Sequence, residues 1–82
     1  MTARAQIEAL WIEPGTPADA AAAVNLHRSQ GHKITPLGVL KIWDRAKDEG
    51  RLPPFWRPWA GFNKAQRVVL RRFMMFGMRR AA

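Results

Sequence analysis

The dipeptide Thr-Pro occurs twice, at Thr16-Pro17 and Thr35-Pro36, and a glycine follows each at the same interval, at Gly31 and Gly50. This is helix punctuation: a hydroxyl that accepts from a free backbone N–H, a proline pre-set for the first helical position, and a residue suited to the left-handed cap. Asp19 adds a carboxylate at the positive end of the first of these helices. The spacing predicts a second helix in the chain from Pro17 that Gly31 ends, and a third from Pro36 to Glu49. Alanines from Ala20 through Ala23, then Val24 and Leu26, give the second helix a close-packing face.

The flanking segments read the same way. A first helix is expected over Ala3–Ile12, with Thr2 as cap, a stripe of Ala3, Ile7, Leu10 and Trp11, and a stop at Pro14-Gly15. Asn63 with Gln66 resembles a capping box and opens a fourth helix through Arg79. Between the third and fourth helices, residues 51–61 hold three prolines (Pro53, Pro54, Pro58), which exclude regular helix and imply an extended, Trp-studded connector. No stretch shows period-2 alternation, so the expected fold is all-α: a compact bundle of about four helices with a helix-turn-helix-like pair and a Pro/Trp-rich connector.

Composition supports one core and one domain spanning 1–82. At 82 residues the chain is near the lower limit for folding on a single core, but it is 48% hydrophobic with four Trp and four Phe. It contains no Cys, which removes disulfides, thiolate nucleophiles, iron–sulfur ligation and classical zinc fingers. Glu8 and Glu13 interrupt any signal-like apolar stretch, and no window reaches the ~18 apolar residues of a membrane span. A soluble, cytoplasmic protein is expected.

Charge divides the chain. Residues 1–50 carry six basic and six acidic side chains and sum to zero, whereas 51–82 carry eight basic side chains and no acid, which is the whole +8. A polyanion is the natural partner of such a segment. On the fourth helix Lys64, Arg67 and Arg71 share one side, with Arg72 beside them and Arg57 in the preceding connector. Phe62, Ala65, Val69, Leu70, Phe73 and Phe76 gather on the other side, which is expected to face the core. On the third helix Val39, Ile42, Trp43 and Ala46 oppose Lys41, Asp44, Arg45 and Asp48.

The second and third helices, joined by Gly31-His32-Lys33-Ile34, fit a helix-turn-helix whose second helix reads a major groove. The azimuths then place Leu37, Gly38, Lys41 and Arg45 toward base edges and Lys33 and Thr35 toward phosphate. Any two amphipathic helices on a short loop give the same pattern. The stretch Ile34-Thr35-Pro36-Leu37-Gly38-Val39-Leu40-Lys41-Ile42-Trp43-Asp44-Arg45-Ala46-Lys47-Asp48-Glu49-Gly50-Arg51-Leu52-Pro53-Pro54 resembles the recognition helix and exit of small phage or bacterial helix-turn-helix regulators. The likeness covers about a quarter of the chain. It implies DNA-facing positions for Thr35, Lys41 and Arg45 and core positions for Val39 and Trp43. The chain departs from that family in the helix before the turn and in having no clear β-wing.

Two further features bear on partners. Trp56 and Trp59, interleaved with Arg57, suit base stacking, a protein contact or simple packing over the helices. Met74, Met75 and Met78 form an adaptable surface for a homodimer, an acidic protein partner or anionic lipid, or they are buried against the first helix. Catalysis has no support: His27 and His32 are joined by no carboxylate cluster, Ser29 is the sole serine, and no Gly-rich phosphate loop is present. The expected protein is a non-enzymatic DNA binder without metal or cofactor, a small transcriptional regulator. The alternative is a module that binds an acidic partner such as a polymerase or nuclease.

Overall fold

The computed structural model describes residues 3–53 and 61–81, with side chains to Met78. It is all-α, with no strand among the described residues. The helices are α1 (Ala3–Ala9), α2 (Pro17–Asn25), α3 (Pro36–Asp48) and α4 (Lys64–Ala81), with one 3₁₀ turn at Gln30–His32. No described helix is long and apolar enough to cross a membrane.

Local chemistry explains most boundaries. Thr16 accepts from the Asp19 amide at 3.3 Å, and Thr35 accepts from the Gly38 amide at 3.1 Å, each with proline at the start of the helix. Asn63 and Gln66 close the reciprocal capping box: the Gln66 amide donates to Asn63 Oδ1 at 2.8 Å and the Asn63 amide to Gln66 Oε1 at 2.9 Å. Gly50, at φ +79°, terminates α3; the Gly50 amide donates to the Lys47 carbonyl and the Arg51 amide to the Ala46 carbonyl. That pair of bonds is the Schellman arrangement, and it turns Leu52 into the core.

Two ends differ from expectation. Helix α1 stops at Ala9 because the next residues tighten, Trp11 donating to the Glu8 carbonyl and Ile12 to the Ala9 carbonyl. Helix α2 stops at Asn25, well short of Gly31, which does not adopt a left-handed conformation. The reason lies in Asn25 itself. Its side chain donates to the Ile34 carbonyl and accepts from the Ile34 amide, both at 2.8 Å, so it acts as a backbone surrogate across the connector.

The core is formed by Ile7 and Trp11 with Ala20 and Ala21 of α2, Val39, Trp43 and Ala46 of α3, and Leu52. Helix α3 packs against both α1 and α2. The small side chains of α2 permit close approach, and the two tryptophans fill the volume between helices. Trp43 donates its indole N–H to the Ile7 carbonyl at 2.7 Å, which satisfies a polar group that burial would otherwise penalise. Arg51 spans from the end of α3 back to α1, 3.0 Å from Glu8.

Helix α4 packs through the face opposite to the one its pattern predicts. Arg71 is only 4% exposed, and Met74 and Met75 pack against the core cluster, while Val69 and Phe73 are 67% and 73% exposed. The expected inner row of Phe62, Ala65, Val69 and Phe73 is outside. Docking is decided by what the segment after α1 offers. The Trp11 ring and the side-chain-free surface of Gly15 form a slot that takes a flat guanidinium on a long aliphatic stem.

Candidate nucleic-acid interface

Apart from exposed Arg4, the described basic side chains fall into three environments. In the first they are consumed by acids. Arg45 Nε lies 3.0 Å from Glu49, Lys47 lies 3.7 Å from Asp44, Arg51 bridges Glu8 and Glu49, and Arg72 lies 3.6 Å from Glu13. The Arg51 and Arg45 hydrogen bonds, in that order, hold the Glu49 carboxyl below its ordinary range. Glu8 and then Glu49 raise the Arg51 guanidinium. The C-terminal half of α3 is therefore a network of opposed charges, and Arg45, expected over base edges, is directed along its own helix to Glu49.

The second environment is the interior. Arg71, expected on a phosphate-binding ridge with Lys64 and Arg67, is instead turned inward over Trp11. Burial first, and the Arg67 charge second, lowers its pKa from the usual guanidinium value. Arg67 is half-buried, and Lys64 is exposed near the start of α4. The ridge is thus not a continuous cationic surface. Of the readings open for Met74, Met75 and Met78, a contact surface or burial, all three are partly buried, and Met74 and Met75 pack against the core cluster.

The third environment is the connector and the N-terminal half of α3. Lys33, Thr35, Leu37 and Lys41 are exposed there, and Arg28 donates to the His32 carbonyl at 3.2 Å. Among the described residues Arg28, Lys33 and Lys41 have no acid at ion-pair distance. The nearest acids in sequence are held elsewhere: Asp19 accepts from Thr16 at 2.8 Å and Asp44 faces Lys47. The positive end of the α3 dipole adds to the same potential. Arg28 carried no distinguishing sequence signal; only the early end of α2 brings it onto the connector.

The α2–α3 connection itself departs from a helix-turn-helix. Ten residues, 26–35, separate the helices, where that motif uses a turn of about 3–4. The Asn25–Ile34 clasp compensates by pinning the far end of the connector to the end of α2. Arg57, Trp56 and Trp59 lie outside the described residues. His27 and His32 are both exposed, and the described residues bring no group of three His, Asp or Glu side chains together for a metal.

Comparison with known protein families, curated proteins and solved structures finds no match to this chain.

Proposed function

We propose that this protein is a small DNA-binding regulator that engages duplex DNA through the connector and the N-terminal half of α3. The observation that carries the reading is the placement of Arg28, Lys33 and Lys41 on one contiguous stretch without acidic partners, while the remaining described α3 charges are largely matched. Lys33 and Arg28 fit phosphate contact, Thr35 adds a hydroxyl, and Lys41 is the residue for base edges. Leu37, 60% exposed one turn before Lys41, suits contact with a thymine methyl. The +8 charge supplies long-range attraction.

A salt titration of duplex binding tests it. About three phosphate contacts predict a log–log slope near −3, and a flat response sinks the proposal. Selection from a random duplex pool separates the roles. Lys41→Ala is expected to alter the recovered sequences, whereas Lys33→Ala weakens binding to all sequences alike.

A further inference from the structure

Helices α1 and α2 both pack on α3, and an open groove of about 550 Å³ is lined by residues of the two. Its volume is within the range of small-molecule sites. The apolar lining comes from Ala9 and Leu10 at the end of α1 and from Ala23 and Val24 on α2. Alanine on both helices leaves open the space that larger side chains would close.

The groove also has a charged wall of its own. His27 and Arg28, just past the end of α2, are part of the lining, and no acidic side chain is. Arg28 is half-buried, and its Nη1 donates to the His32 carbonyl at 3.2 Å. That bond holds the guanidinium in place and leaves the rest of its N–H fork available. No acid lies within ion-pair distance of it among the described residues. Cation and apolar surface therefore line one cavity, where a single ligand meets both. A cationic amphiphile would be repelled by Arg28, a neutral one would leave it unmatched, and an inorganic anion would leave the apolar walls wet.

We propose that this groove binds a medium-chain aliphatic carboxylate. The alkyl chain lies against Leu10, Val24 and the two alanines. The carboxylate accepts a charge-assisted hydrogen bond from Arg28, with the His27 ring as a second donor. Each methylene that leaves water strengthens binding by up to about fourfold. The site shares Arg28 with the proposed DNA surface but rests on the groove alone. Ligand binding is read without DNA, so the two readings fail separately.

The test uses the full chain and octanoate below its micelle concentration, with calorimetry for affinity and amide chemical shifts for location. Octanoate is expected to bind at least about tenfold more tightly than butyrate, which has the same head group, or octylammonium, which has the same chain. The shifts should centre on Ala9, Leu10, Ala23 and Val24. Arg28→Ala should weaken octanoate by roughly tenfold. Lys64→Ala, which removes the same charge from α4, should leave its affinity unchanged. Ala9→Leu, at an exposed position outside the core cluster, should weaken it by filling the groove while Tm is retained. Absence of octanoate binding overturns the proposal, as does equal binding of butyrate or octylammonium, or indifference to Arg28→Ala. So do shifts centred on Val69 and Phe73, which place the chain on α4. Arg28-dependent flotation with phosphatidylglycerol vesicles, without binding of free octanoate, assigns the groove to a membrane surface and overturns it too.

Discussion

The guanidinium carbon of Arg71 lies 5.9 Å from the centre of the Trp11 ring, within the range of a cation–π contact, and the backbone of Gly15 approaches the same guanidinium closely. The charge that the sequence would assign to solvent is thereby the anchor of α4. Arg71→Ala is expected to lower stability by about 1–3 kcal/mol through lost stacking and lost packing of the stem. Urea denaturation measures it. DNA affinity of the folded variant at fixed salt should stay within about twofold of the parent, since Arg71 is not part of the proposed interface. A variant of undiminished stability that lost DNA binding would place Arg71 outside.

Gly15 combines a φ of +79° with direct contact to the Arg71 guanidinium, so a Cβ there meets both backbone strain and a filled slot. Gly15→Ala should destabilise by more than about 1 kcal/mol. Combined with Arg71→Ala the two losses should not add, because removal of the guanidinium vacates the space the new methyl needs. A double-mutant cycle in denaturant reads the coupling, and strict additivity would show that the slot is not shared.

Asn25 holds Ile34 by two hydrogen bonds of 2.8 Å each. Asn25→Ala should cost about 1–3 kcal/mol, since it leaves partly buried backbone groups without their partner. It should also reduce affinity at the proposed DNA surface, because Lys33 directly precedes the pinned Ile34. Asn25→Asp retains the acceptor for the Ile34 amide but loses the donor, and should fall between the two. Thermal melts and the duplex titration together distinguish a merely local loss from one transmitted to the interface.

Glu49 is hydrogen-bonded by Arg51 and Arg45, which depress its carboxyl pKa in the folded state. Its contribution is therefore present above the ordinary carboxylate range and lost as pH falls through the depressed folded value. Glu49→Gln should lower Tm at neutral pH, and the gap to the parent should close as pH falls below the ordinary carboxylate range and through the depressed folded value. A gap that widened in acid would reverse the sign of this linkage. The carboxylate is solvent-exposed, so the effect should also shrink as salt is added.

Features decided by residues close in sequence were legible before the structure. The Thr16 and Thr35 caps, the Gly50 stop and the Asn63–Gln66 box each depend on partners within a few positions, and each formed. The inner row of α3 was equally plain because Val39, Trp43 and Ala46 form a single apolar sector. Two features were not legible, for a common reason. The end of α2 depends on Asn25 finding a backbone partner nine residues away. The orientation of α4 depends on a slot after α1, at Trp11 and Gly15, that takes one arginine. Amphipathic pattern assigns the apolar side inward, but α4 has two such sides, one bearing Met74 and Met75 and the other Val69 and Phe73. Its docking was settled by the shape between Trp11 and Gly15, which no periodicity encodes. The candidate site shifted for a related reason: Arg45 and Arg72 have the right residue type but acidic neighbours from the neutral half, whereas Arg28 has none.

The outward row of α4 also makes ionic strength a selector of company. In dilute buffer the like net charge of neighbouring molecules keeps their apolar rows apart. At about 1 M salt the Debye length contracts to about 3 Å, and that repulsion fades. What remains is oily surface, equally open to any neighbour. The same four side chains, kept apart by like charge in dilute solution, then become the adhesive patch of a sticky protein.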